Sequence, residues 1–154
     1  MRTSPPVKIL ELDGLKLWVL RTDAAATGPG IIGLTQARLL RICGNLPAIG
    51  PAYGLDHGER GYEACRRALT DLPMPAELYE TDFPGGWHAV GAHTGGYDTL
   101  GLTLSEMLEK WLPHSGFRRR EGPVVYRYLT DTRETAEADI RTEICVPVQP
   151  DPIE

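Results

Sequence analysis

Cysteine is scarce in this chain, with three in 154 residues, and no two stand in a CxxC. Cys43, Cys65 and Cys145 are odd in number and far apart, which excludes a disulfide or zinc framework and reads as reduced thiols packed as small hydrophobes. Long apolar runs are missing too. None approaches the roughly 20 residues that a membrane-spanning helix needs, so no membrane contact is expected. The amino-terminal MRTSPPVKIL has no apolar signal-peptide core and turns strand-like within a few residues, which makes the cytoplasm the expected location. An excess of positive charge is the third absence. Sixteen Lys and Arg against 21 Asp and Glu give a formal charge of -5, whereas a phosphate-binding surface needs clustered cations. The one basic run, Arg118-Arg119-Arg120, is closed at once by Glu121 and reads as a solvated turn, so no direct nucleic-acid contact is expected.

Several kinds of site chemistry are lacking as well. His88 and His93 are five positions apart on one expected strand and point to opposite faces, while His57 and His114 are isolated, so no metal site is expected. Gly28-Pro29-Gly30 is not followed by the Lys-Ser/Thr pair of a phosphate loop and reads as the turn before a helix. Ser4, Ser105 and Ser115 stand in no nucleophile elbow. No cofactor is implied.

What is present is 42% hydrophobic and 24% charged residues, an ordinary globular composition with length for one domain or for two small repeats sharing a core. Val7–Leu12 and Leu15–Arg21 alternate around Asp13-Gly14 and read as strand, turn, strand, or as one bent strand. A helix is expected from about 31 to 43, ended by Gly44-Asn45, and then a strand at 52–55. Leu72-Pro73-Met74-Pro75 divides the chain near its middle. After it, 87–93 reads as a strand and Thr94-Gly95-Gly96 as a turn. Leu100, Leu104, Met107, Leu108 and Trp111 form the stripe of a helix stopped by Pro113 and Gly116. Val124–Leu129 and 140–146 are two further strands. Each half thus runs strand, turn, helix, strand, strand, if 62–69 is a strand against its helix propensity. The expected architecture is α+β: repeat one at about 7–70, a joint at 71–75, repeat two at about 76–148, a mostly antiparallel sheet, and both helices on one side.

Four stretches, in this order, carry a resemblance. They are Trp87-His88-Ala89-Val90 leading into His93-Thr94-Gly95-Gly96-Tyr97, Trp111-Leu112-Pro113-His114-Ser115-Gly116, Tyr128-Leu129-Thr130-Asp131, and Thr142-Glu143-Ile144-Cys145-Val146-Pro147-Val148. Over about residues 76–148 the chain resembles the GyrI-like family, the effector-binding domains of AraC-type and MerR-type multidrug regulators and relatives of the DNA gyrase inhibitory protein. The resemblance implies two strand-helix-strand-strand repeats about a pseudo-two-fold axis, with a ligand cleft between them. It departs at Tyr126, where the family usually carries Glu. Since the family's regulators bear a helix-turn-helix unit that the tandem repeat leaves no room for, a DNA contact is expected only through a partner.

Alternation along 140–148 sets Ile140, Thr142, Ile144, Val146 and Val148 on one face and Arg141, Glu143, Cys145 and Pro147 on the other. Glu143 is then either a wet residue beside Arg141 or a cleft residue, and the resemblance implies the cleft, facing the ligand. There it would hold a cation or a proton, because a buried charge without a partner costs several kcal/mol. Tyr126 and Tyr128 share a strand face as expected aromatic walls, and Tyr53 holds the equivalent place in the first repeat. Trp18, Trp87 and Trp111 are further candidates, Trp111 equally as the end of the helix stripe. The expected function is capture of a lipophilic, cationic or aromatic molecule. The resemblance also implies two alternatives: a hydrolase of cyclopropanoid genotoxins in which Glu143 activates water and Tyr128 donates a proton, and an inhibitor of DNA gyrase.

Overall fold

A computed structural model describes residues 6–20, 30–47, 49–130 and 134–152. The Ala24–Pro29 stretch and Asp131 lie outside them. Among the described residues are nine strands and two α-helices: β1 (Val7–Leu12), β2 (Leu15–Leu20), α1 (Gly30–Ile42), β3 (Ala52–Asp56), β4 (Tyr62–Arg67), β5 (Leu78–Phe83), β6 (Gly86–Thr94), α2 (Leu100–Glu106), β7 (Phe117–Arg119), β8 (Val124–Tyr128) and β9 (Arg141–Pro150). α2 runs on through a wide π-type turn, Met107–Trp111, and a tight one, Leu112–His114. The expected α+β class and mostly antiparallel sheet are what the structure shows.

β4 forms against its helix propensity because tertiary pairing outweighs a few tenths of a kcal/mol per residue. It lies between β3 and β2, with Tyr62 and Ala64 turned to the helices and Cys65 to the other side. β5, LYETDF, was not expected. Its Glu80 and Asp82 face solvent and obscure the alternation of Tyr79, Thr81 and Phe83 on the opposite face.

The strand order is β1-β6-β9-β8-β3-β4-β2-β5, every neighbour antiparallel, with β7 on the far end of β9. β1 and β2 are therefore not a hairpin. β1 pairs with β6, and β2 with β4 and β5. Laid flat, β1 and β2 would stand about 30 Å apart, six intervals of about 4.8 Å, yet a two-residue link reaches only about 10 Å. The sheet must curl. Pro84-Gly85 joins β5 to β6 under the same constraint, and the two links touch: a Cβ placed on Gly85 would stand 2.4 Å from the Leu12 carbonyl oxygen and 2.7 Å from the Gly14 amide.

The outer face of the curl carries both helices over a core that includes Leu20, Ile32, Leu39, Leu100, Met107 and Ile144. The inner face carries a second core of Leu17, Val19, Tyr53, Leu55, Cys65, Val90, Val125 and Cys145, buried without any helix. Matching registers run from either end: Tyr53 opposite Cys65 and Val125 opposite Cys145, Leu55 opposite Glu63 and Arg127 opposite Glu143.

Candidate functional site

β3 and β8 lie side by side at the middle of the sheet, with Gly54 opposite Tyr126 and Ala52 opposite Tyr128. On the helix side Gly54 leaves a gap that two phenols fill. A Cβ there would stand 2.4 Å from the Tyr62 hydroxyl and 2.5 Å from that of Tyr128. Those hydroxyls bond each other at 2.6 Å, and Gln36 of α1 donates to the Tyr62 oxygen at 3.0 Å and to the Tyr53 carbonyl at 2.9 Å. Tyr97, in the turn before α2, meets the Tyr128 ring edge-on with centroids 5.2 Å apart. Tyr126 donates to Asp56 Oδ2 at 2.7 Å, and Asp56 Oδ1 accepts from the Gly58 amide.

These side chains line a groove between the helices. One hollow, about 300 Å³, is walled by Ile32, Asp56, Tyr62, Tyr97, Leu100 and Tyr126, and a second, about 410 Å³, lies across Tyr97 against Tyr128 and Gln36. The charged residues lining the first are Asp56 and Asp98; no Lys or Arg does so among the described residues. Burial holds the phenols of Tyr62, Tyr126 and Tyr128 well above the ordinary tyrosine range, and the Asp56 charge pushes Tyr126 further the same way. All three stay neutral hydroxyls at physiological pH.

Glu143 lies elsewhere. It faces the inner side of the curl, away from Ile144 and Val146, and takes Arg127 as its partner, with Nε donating at 2.9 Å and Nη2 closing the same pair. Arg127 stands directly opposite it on β8, which turns Tyr126 and Tyr128 to the other face. The sheet therefore separates Glu143 from both tyrosines, so the expected cleft combining all three is corrected: they do not line one space. Tyr53 is on the inner face with Glu143, 8% exposed. Trp18 is buried on the helix side, its Nε1 donating to Glu80 at 3.3 Å and the Arg66 guanidinium lying 5.8 Å over its ring. Trp111 packs on the core as the end of its helix stripe, and Trp87 is exposed on β6.

Of the seven expected site residues the structure brings Tyr126 and Tyr128 together, and it adds Tyr62, Tyr97 and Asp56. Strand alternation alone would have put Tyr62 beside Ala64 on the helix side. Asp56 carried no local signal, because its partner is 70 residues away. The two histidines of β6 face opposite ways: His93 bonds Thr103 and the Gly96 carbonyl, while His88 lines the inner side. No group of three metal-ligating side chains gathers among the described residues, and none of their helices is long and apolar enough to cross a membrane.

Comparison with known proteins places these features in a wider set. A family model, the GyrI-like small molecule binding domain, matches residues 51–149. A "Probable transcriptional regulator YgiV" of Escherichia coli (strain K12) is 29% identical over 79 residues, 49% of each chain, so the match spans about half the length of that curated relative. Among solved structures, the EcmrR C-terminal domain superposes with a TM-score of 0.77 at 15% identity, covering 97% of this chain and all of that one. A hydrolase from Listeria innocua gives 0.63 at 12% identity over 96% and 94% of the two chains. SAV2435 bound to tetraphenylphosphonium gives 0.59 at 14% identity over 94% of each. At these identities the structural likeness is one of fold.

Proposed function

Because the chain belongs to the family of GyrI-like small-molecule-binding domains, we propose that it captures a lipophilic aromatic cation in the groove between α1 and α2, for sensing or sequestration. The lining carries this reading: Tyr62, Tyr97 and Tyr126 beside the Asp56 carboxylate, with no basic side chain among the described residues on the hollow they share, and Tyr128 on the adjoining one. Flat phenols offer dispersion and cation–π attraction of about 0.5–2 kcal/mol per ring. Asp56 supplies the opposite charge where protein atoms displace screening water. The Tyr126 hydroxyl ends on it, which sets a carboxylate beside the position where the family usually carries Glu. The two hollows together fall in the size range of drug-like ligand sites, about 300–1,000 Å³. That the fold's likeness includes a protein bound to tetraphenylphosphonium makes this cation a suitable probe.

The test is titration with tetraphenylphosphonium and, as neutral counterpart, triphenylphosphine oxide. Asp56→Asn keeps an acceptor for Tyr126 and removes the charge. It should weaken the cation about tenfold, or about 1.4 kcal/mol, and leave the neutral compound nearly unchanged. Glu143→Gln, on the far side of the sheet, should change neither. Loss of cation binding in Glu143→Gln alone would return the counter-charge to Glu143 and refute the groove. Water activation by Glu143 with Tyr128 as proton donor is not proposed, because the sheet stands between them. YgiV and EcmrR suggest that the chain serves as the ligand-sensing part of a regulatory system, with DNA contacts made by other residues than these.

A further inference from the structure

The inner side of the curl holds a second cavity, of about 210 Å³, at the mouth closed by the segment after β7. Leu17, Leu55 and Phe83 form its apolar wall, Glu63, His88 and Arg120 are among its polar residues, and the exposed carboxylates of Asp82 and Glu121 also line it. Glu63 is already satisfied: His57 Nε2 lies 2.8 Å from one oxygen and the Tyr79 hydroxyl donates to the other at 2.5 Å. Arg120 is fixed in place, donating to the carbonyls of Gly85, Trp87 and Val148. His88 is different. It is 2% exposed, its Nδ1 is 2.9 Å from the Gly86 carbonyl, and its Nε2 has no partner among the described residues. A carbonyl only accepts, so Nδ1 carries the proton, and in the neutral ring Nε2 is a bare acceptor. Burial and the nearby Arg120 charge lower the His88 pKa and keep the ring neutral.

We propose that this cavity is a second binding site, distinct from the groove between the helices, for a small neutral ring compound bearing one hydroxyl, of the phenol class. Size favours one ring, since an apolar cavity of about 150 Å³ takes up benzene. The hydroxyl donates its hydrogen bond to His88 Nε2, which has no other partner among the described residues. The hydroxyl oxygen, with its lone pairs, faces the positive side of the cavity set by Arg120, and the ring lies against Leu55 and Phe83.

The experiment titrates the intact protein with phenol and with anisole, which has the same ring and no donor, followed by calorimetry and by ligand-observed NMR. Phenol is expected to bind at least about tenfold more tightly than anisole, about 1.4 kcal/mol. His88→Phe, confirmed folded by circular dichroism, brings phenol down to the anisole level. Thr81→Trp, a half-buried change on the cavity rim, abolishes phenol binding while tetraphenylphosphonium binding stays as in the wild type. Equal binding of phenol and anisole, phenol binding that survives Thr81→Trp, competition between phenol and tetraphenylphosphonium, or no phenol binding at millimolar concentration would each overturn the proposal. Failure of the phosphonium probe with phenol binding intact would count against the groove alone.

Discussion

Gly54 shows how much one absent carbon decides. The hydroxyls of Tyr62 and Tyr128 meet over its Cα, and the Tyr62 ring edge would stand 2.6 Å from any Cβ. Gly54→Ala forces a buried ring to move in a packed core, a change that costs about 1–3 kcal/mol. Thermal unfolding should show that loss, together with a groove that binds its ligand less tightly; a neutral result would mean that the tyrosine pair is not held as described. Glu143 marks the limit of what the sequence discloses at this scale. Alternation along β9 gave its face, away from Ile144 and Val146, but its partner is Arg127 across the ladder and not Arg141 beside it. Local pattern carries orientation. Cross-strand register, set here across a connection of more than ten residues, is not written in either strand alone.

The elements were legible wherever their periodicity was undisturbed: α1, the α2 stripe, β3, β8 and β9 follow directly from spacing. β5 was obscured by two exposed acids, and the separation of β1 from β2 was hidden because a two-residue Asp-Gly link looks like a hairpin whatever it joins. Only the sheet order shows that this link is half of a crossing. Its other half, Gly85, has φ +73 and almost touches Leu12 and Gly14. Gly85→Ala combines left-handed strain with a contact against unyielding backbone, and should cost about 2–4 kcal/mol. Native-state hydrogen exchange should locate the damage, with β1 and the β1-facing amides of β6 losing protection first while β3 and β8 keep theirs. Uniform loss across the sheet would show that the crossing does not act locally.

At the scale of the whole molecule, the two cores on either side of one sheet bury acids that must stay protonated. Tyr62, Tyr126 and Tyr128 on the helix side and Cys65 and Cys145 on the inner side are all shifted upward by burial, Cys145 to about 12. A group whose folded pKa is raised binds a proton that the unfolded chain has already released, so its stability is whole below the unfolded pKa and is lost as pH rises towards the folded one. The ordinary thiol and phenol values, 9.0 and 10.0, set where the decline begins and where it steepens. Each group removes up to about 1.4 kcal/mol per pH unit within its window. With several groups acting against a total stability of about 5–15 kcal/mol, unfolding should arrive within about two pH units above the phenol value. Tyrosinate absorbance should then appear in one cooperative step, at the same pH as the loss of far-ultraviolet circular dichroism, for at least the three buried phenols. A gradual rise of tyrosinate while the fold persists would mean that these hydroxyls open to solvent in the native state, and that the groove is wetter than its lining implies.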